Sequence, residues 1–294
     1  MKIGHDAVAA KGWWRAHQWL VLRRLCQSAI LALFLAGPLA GIWIVKGNLN
    51  FSKTLNILPL TDPYALLQSI FAGHRPGQDA LVGVALTAAF YLVVGGRAYC
   101  AWVCPLNLVT DLAAWLRSAL GIKGGAHVSR QTRFWLFGAT LLLALATGSL
   151  AWELVNPVSM LARSLLFAVG LSWSVILAVF LFDLFVMNRG WCGHLCPTGA
   201  FFSLLGHRSV VRVSAAGRAA CNDCNECFVV CPEPLVLKAP LQDGCRGIGP
   251  VILSAQCTNC GRCIDVCSRD VFAFGGRKNP GLLNPVGASH CAPK

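Results

Sequence analysis

The sequence predicts a mainly α-helical membrane protein, with four transmembrane helices as two parallel repeats and a C-terminal α+β ferredoxin-like domain. Three observations predict it. Hydrophobic residues make up 56% of the 294-residue chain and charged residues 13%, against about 25% charged in ordinary soluble domains. Four long stretches are almost free of charge. The C-terminal third carries two copies of one cysteine spacing.

Residues 1–24 are basic and Trp-rich, with Lys11-Gly12-Trp13-Trp14-Arg15 followed by Trp19 and Arg23-Arg24. Trp favours the headgroup level and Arg the cytoplasmic side, so this segment is expected on the membrane surface. Leu25 to Val45 is a run of 21 residues without a charge. That is too long for the apolar core of a signal peptide, about 7–15 residues, and no A-x-A site follows it. It reads as the first span, with Pro38 as a kink.

Residues 46–79 form a polar connection, and Ala80 to Gly96 is the second span, closed by Arg97. An inner segment follows, and Phe134 to Trp152 is the third span. Glu153 to Arg163 is a short outer connection. Ser164 to Phe182 is the uncharged part of the fourth span, continued by Asp183 to Asn188 up to Arg189.

Charge sets the orientation. The two inner segments carry five Lys or Arg each (Lys2, Lys11, Arg15, Arg23, Arg24; Arg97, Arg117, Lys123, Arg130, Arg133). The outer connections carry three and one (Lys46, Lys53, Arg75; Arg163). The positive-inside rule therefore places both termini in the cytoplasm of a bacterial inner membrane. Lys and Arg outnumber Asp and Glu by 25 to 12, but they are scattered between apolar runs. They read as topology signals and not as a nucleic-acid surface.

The cysteines carry the chemistry. Cys221-x-x-Cys224-x-x-Cys227-x-x-x-Cys231-Pro232 is followed, after 25 residues, by Cys257-x-x-Cys260-x-x-Cys263-x-x-x-Cys267. This is the run of two-cluster bacterial ferredoxins, in which the fourth Cys ligates the other cluster. The crossed assignment puts Cys221, Cys224, Cys227 and Cys267 on one [4Fe–4S] cluster, and Cys257, Cys260, Cys263 and Cys231 on the other. Paired zinc sites are the alternative, but zinc would use two C-x₂-C pairs and leave the third Cys of each run idle. Ser268 stands where the second run would carry its proline, a residue that ligates nothing. Cluster assembly needs reduced thiols, which again puts this part in the cytoplasm. The domain is expected from residue 207 to 274, after a membrane domain over 25–206, with residues 275–294 as a flexible tail.

The membrane part is duplicated. Arg97-Ala98-Tyr99-Cys100-Ala101-Trp102-Val103-Cys104-Pro105 returns as Arg189-Gly190-Trp191-Cys192-Gly193-His194-Leu195-Cys196-Pro197. Asp62-Pro63 returns as Asn156-Pro157, so the offset is 92–94 residues. Two spans per unit make the repeats parallel. Cys100, Cys104, Cys192 and Cys196 are therefore candidates for a second redox or metal site, since residues i and i+4 share a helix face. Small buried hydrophobes are the alternative. Asp183, Glu153 and His194 are ionisable groups at span ends and candidate proton acceptors; for Asp183 a salt bridge with Arg189 is the simpler role. Cys26, Cys245 and Cys291 have no partner spacing.

Over residues 11–274 the chain resembles the NapH-type membrane ferredoxin subunits of periplasmic nitrate reductase systems. The residues that carry the resemblance are Lys11-Gly12-Trp13-Trp14-Arg15, Leu22-Arg23-Arg24-Leu25-Cys26, Pro59-Leu60-Thr61-Asp62-Pro63 and Cys104-Pro105-Leu106-Asn107. Gly190-Trp191-Cys192-Gly193-His194, Cys231-Pro232-Glu233-Pro234 and the two cluster runs complete it. The resemblance implies a quinol dehydrogenase subunit with two [4Fe–4S] clusters. It would pass electrons through a periplasmic iron–sulfur partner (NapG) and a tetrahaem cytochrome (NapC) toward nitrate reductase. The rival readings are a copper-reducing assembly factor that uses the C-x₃-C-P sulfurs, and a membrane scaffold for the nitrate reductase chain.

Overall fold

The computed structural model of the chain describes residues 3–122, 124–167, 170–242 and 247–277. It is mainly helical. The first half runs α1 (His5–Ala40), β1 (Val45–Gly47), β2 (Phe51–Thr54), β3 (Leu58–Thr61), α2 (Pro63–Phe71), α3 (Gln78–Val94), α4 (Ala98–Trp102), α5 (Leu106–Ala119) and α6 (Thr132–Thr147). There follow α7 (Pro157–Phe167), α8 (Gly170–Leu181), two π-helical turns at Phe182–Val186 and Trp191–Leu195, α9 (Pro197–Leu205) and β4 (Val211–Ser214). The chain continues through α10 (Glu226–Val230), α11 (Leu235–Gln242), α12 (Arg262–Val266) and β5 (Ala273–Gly276). Cys245, Cys291 and the tail from residue 278 lie outside the described residues.

Among the described helices only α1 is long and apolar enough to cross a membrane. Three shorter apolar helices, Gln78–Val94, Thr132–Thr147 and Ser172–Val186, fall where the other spans are expected. The ends differ from the hydropathy reading. The first stretch leaves the helix at Ala40 because Gly41 turns left-handed and Val45 already pairs in a sheet. The third stops at Gly148, whose φ of 63° caps α6. Residues 5–24 belong to the same long helix α1, interrupted at Gly12 (φ 80°, ψ 161°) and not at Pro38.

The chain divides into two compact units: residues 1–26, 91–102 and 203–294, and residues 27–90 and 103–202. The ferredoxin-like part thus has two further segments beside the expected stretch after residue 207. Helix α1 and the α3–α4 region contribute to both units.

In the second unit the polar connection after α1 is ordered. β1, β2 and β3 form an antiparallel sheet, with Thr54 opposite Leu58. Leu55 and Asn56 turn that corner with φ of 52° and 60°, the left-handed geometry that suits the twist of a tight hairpin. Asp62 then caps α2, its Oδ1 accepting from the Tyr64 backbone N–H at 3.0 Å, with Pro63 in the first helical position. The second repeat rebuilds this cap: Asn156 Oδ1 accepts from the Val158 N–H at 3.1 Å ahead of Pro157 and α7. The aromatic core of this unit is Tyr64, Trp152, Phe137, Trp191 and Phe201, with Leu141 and Leu67.

The first unit is built on the β4–β5 pair, antiparallel from Val211↔Gly276 to Ser214↔Ala273. Gly275 and Gly276, expected as the start of the tail, are therefore strand residues. The core under this sheet is Val213, Ala215, Val236, Leu237, Ile252, Val271 and Phe272. The N-terminal arm packs within the same unit. The Asp265 carboxylate accepts from the Trp19 and Leu20 N–H groups at 3.1 and 2.8 Å, and Lys11 donates to the Ile264 carbonyl at 2.6 Å.

Asp62 carries a cost that its counterpart avoids. Burial, with a smaller push from Glu153, raises its carboxyl from 3.8 to about 7, against the lowering by the Tyr64 N–H. Ionising a carboxyl so shifted costs up to about 4 kcal/mol of folding stability. The folded value lies above the unfolded one, so that stability is intact below about pH 4 and is lost as pH rises toward 7. Asp62→Asn should keep the cap, as Asn156 does, and flatten this loss. Melts of wild type and variant between pH 4 and 8 should diverge progressively, with the variant the more stable at pH 8.

Candidate functional site: two cysteine-lined cavities

The two cysteine runs fold alike. Asp223 and Asn259, each just before the second Cys of its run, have φ of 54° and 48°. Asn225 and Gly261, each just after it, have φ of 60° and 73°. Asn, Asp and Gly tolerate this left-handed region where other residues do not. A short helix follows each turn, α10 in one run and α12 in the other. The fourth cysteines, Cys231 and Cys267, then leave those helices in extended conformation (ψ 127° and 115°). At Gly261 the requirement is double, because a Cβ there would also lie 2.5 Å from Cγ of Trp19.

These exits cross. One cavity is lined by Cys221, Cys224, Cys227 and Cys267, with Asp223, Phe228 and Phe272 among its walls. The other is lined by Cys257, Cys260, Cys263 and Cys231, with Glu233, Ile252 and Arg262. Each fourth cysteine thus joins the other run's three. Among the described residues no three His, Cys, Asp or Glu side chains converge closely enough to hold a single metal ion. Tetrahedral zinc at about 2.3 Å from each sulfur would need sulfurs roughly 3.8 Å apart. Four thiols spread around a cavity suit a cubane, whose irons occupy separate corners.

Protein charge distinguishes the cavities. Arg97, 2% exposed, pairs with Glu233 (Nη1 to Oε1, 2.8 Å) and donates to the Gln256 carbonyl at 2.9 Å, beside Cys257. Arg212, also 2% exposed, donates to the Ser254 and His207 carbonyls at 2.9 and 3.1 Å. Burial pushes the Cys257 thiol up to about 11, opposed by the Asn259 backbone and by Arg212 and Arg97. Burial would raise Cys260 too, but Arg262 and Arg23, with hydrogen bonds from Thr258 and the Arg262 backbone, bring it below its ordinary value. In the other cavity burial and neighbouring thiols push Cys227 up to about 12. Raised thiols are protonated near neutrality, so metal loading must release protons.

Neither Arg97 nor Arg212 is conspicuous in the sequence. Arg97 reads there as the end of a span, yet its guanidinium is buried against the cluster domain. Asn259 is a third unforeseen contributor. Its Nδ2 donates to the Val94 and Val211 carbonyls at 2.8 and 3.0 Å, and its own carbonyl accepts from Trp102 Nε1 at 3.0 Å. Its signal was available: Asn259 is the counterpart of Asp223 in the other run.

The remaining candidates lie mostly in the second unit. Cys104, Cys192 and Cys196 belong to it, whereas Cys100 belongs to the first. Asp183 is fully buried, and its Oδ1 accepts from the Trp191 N–H at 2.9 Å. Arg189 pairs with Asp111 at 3.7 Å and also acts on Asp183 through its charge. Both oxygens of Glu153 are engaged: Oε1 by Asn156 at 2.9 Å, Oε2 by Asn50 at 2.5 Å and Ser159 at 2.6 Å. His194 lies in the π-helical turn Trp191–Leu195.

A family model described as "4Fe-4S binding domain" matches residues 76–123 and 169–214. It therefore matches twice, once on each C-x₃-C-P segment. The chain is 54% identical to the methylamine utilization ferredoxin-type protein MauN of Paracoccus denitrificans, over 94% of this chain and 96% of that protein. It is 47% identical to the ferredoxin-type protein NapH of Escherichia coli, over 95% of this chain and 96% of that protein. A more distant relative is the putative electron transport protein YccM of Escherichia coli, 24% identical over 71% of this chain and 60% of that protein. No solved structure matches.

The crossed cavities make an asymmetric prediction. Cys267→Ser should remove iron from the Cys221–Cys227 side and spare the cluster of its own run, and Cys231→Ser should do the reverse. Iron analysis with EPR of the dithionite-reduced variants reads this directly. Loss on the variant's own side in either case would contradict the crossing.

Proposed function

The chain belongs to the family of NapH and MauN ferredoxin-type proteins, and on that premise we propose a quinol-oxidising electron-transfer subunit of the bacterial inner membrane. It has four spans, cytoplasmic termini and two [4Fe–4S] clusters. The observation that carries this reading is the pair of cavities, each lined by four cysteines drawn from both runs. When bound there, the clusters supply one-electron transfer. The protein supplies the thiolates and the guanidiniums beside Cys257 and Cys260.

Quinol gives up protons with its electrons, so a base must stand near its headgroup. Between the two carboxylate candidates, Glu153 is occupied by three hydrogen bonds. Asp183 Oδ2 is buried with no hydrogen-bond partner among the described residues, which favours Asp183 as the acceptor. Gln68, buried one helical turn from Tyr64 on α2, likewise has both amide atoms unclaimed. It offers a polar contact for a headgroup beside the aromatic core.

The C-x₃-C-P cysteines serve this route as an electron relay. The match of a 4Fe-4S binding model to both segments supports that role over copper handling. Two client systems fit the relatives. Identity of 54% to MauN favours a methylamine-utilization setting; NapG- and NapC-type partners feeding a periplasmic nitrate reductase are the second reading, favoured by the 47% identity to NapH over nearly the whole chain.

The test is anaerobic reduction of the purified full-length chain by a quinol, followed through the iron–sulfur absorbance and normalised to iron content. Wild type should be reduced. Cys→Ser at Cys104, Cys192 or Cys196 should each abolish quinol-driven reduction while dithionite still reduces the clusters, because groups acting as one unit fail together. Unchanged normalised rates in all three would remove the relay. No reduction of the wild type by any quinol would remove the quinol reading.

A further inference from the structure

The two cysteine runs are an internal comparison, since they share one backbone conformation but not one charge. Where the first run has Asp223 the second has the neutral Asn259, and where the first has Glu226 the second has Arg262. Asp223 lines the first cavity, and Arg262 lines the second. Three more guanidiniums, Arg23, Arg97 and Arg212, each 1–2% exposed, act through their charge on Cys257 or Cys260 of the second run. The Arg97 charge is shared with Glu233, which lines the same cavity, and the Arg23 charge also acts on Asp265. The first cavity has no Arg or Lys in its wall among the described residues, and its Cys224 is exposed.

A cubane held by four thiolates carries net negative charge, and one-electron reduction adds one more. Dehydrated positive charges stabilise that extra charge with little screening, whereas a carboxylate opposes it. Water works in the other direction, because the exposed cavity solvates the reduced form better. The fixed charges prevail here, since three of the four guanidiniums are out of water and the carboxylate in the other wall acts with the opposite sign.

Resting on the two-cluster reading, we infer that the cluster held by Cys257, Cys260, Cys263 and Cys231 has the higher reduction potential, and that Arg262 and Asp223 set the two clusters apart. Each potential concerns one electron, accepted without a proton and supplied by the donor side of the chain. An electron entering the pair therefore settles at the arginine-ringed cavity, and the Asp223 cavity is the stronger reductant once filled. Arg262 and Asp223 are tuning residues, not ligands.

The experiment is an EPR-monitored redox titration of the iron-loaded full-length chain in detergent, with iron measured on the same sample. Wild type should show two one-electron steps. Arg262→Gln should lower the more positive step only, Arg262→Lys should restore it toward wild type, and Asp223→Asn should raise the more negative step only. Arg262 is half-buried and Asp223 exposed, so these changes leave the core intact, and any one of the three variants that keeps its iron is informative. Iron near about four atoms per chain would remove the two-cluster reading, and this inference with it. Iron near about eight with coincident potentials, or with Arg262→Gln moving the more negative step, would overturn the inference while leaving two clusters in place.

Discussion

A guanidinium held away from water has to be paired, and Arg97 is paired at the junction of three distant stretches of sequence. Its Nη1 reaches Glu233, just after the first cysteine run, and the Gln256 carbonyl, just before the second. Truncating one partner of such a buried pair typically costs about 3–5 kcal/mol, because the other charge is stranded. The interaction does more than hold charge. It fixes the segment after α3 against both ends of the second cavity, where Trp102 and Asn259 continue the same attachment. The ferredoxin-like part of this chain is thus a domain completed by residues 91–102 and by the N-terminal arm.

The arm obeys the same logic with opposite sign. The Asp265 carboxylate meets two backbone N–H groups of α1, and Lys11 covers the end of α12. Trp19 lies against Gly261 and packs edge-on to Trp102 and Phe274, with centroids 6.2 and 4.6 Å away. A side chain at position 261 would collide with the Trp19 indole, so local turn geometry and packing require the same glycine.

What could be read from the sequence divides along a physical line. The cysteine runs were legible because three ligands on one turn are a local matter, and the crossing came with the ferredoxin run, in which the fourth Cys ligates the other cluster. The duplicated Asp62 and Asn156 caps were legible as repeats, though their capping role emerged only with the geometry. The β1–β3 sheet was hidden by short strands, with Pro59 within β3 obscuring the alternation. Arg23, Arg97, Arg117 and Arg133 were counted as topology charges, yet all four are buried. Charge counting could not find this, since a buried arginine is revealed only by its partners: Arg117 donates to the Leu184 carbonyl at 2.6 Å and Arg133 to the Gly193 carbonyl at 3.1 Å.

That every fully buried cation named here is arginine has its own reason. An ammonium is compact and strongly hydrated, and it loses its proton when dehydrated; a guanidinium stays charged and spreads its donors over a plane. Arg97, Arg117, Arg133 and Arg212 each answer backbone carbonyls of loops or irregular turns. In the second unit Arg117 and Arg133 brace the π-helical turns that contain Asp183 and the second C-x₃-C-P. In the first, Arg97 and Arg212 brace the loops that carry Cys257. The same residue type thus serves two ends at once, closing irregular backbone where cysteines must be presented and leaving permanent positive charge beside them. An irregular loop rich in thiolates could not be buried without the first service, and a cluster held by it would accept an electron less readily without the second.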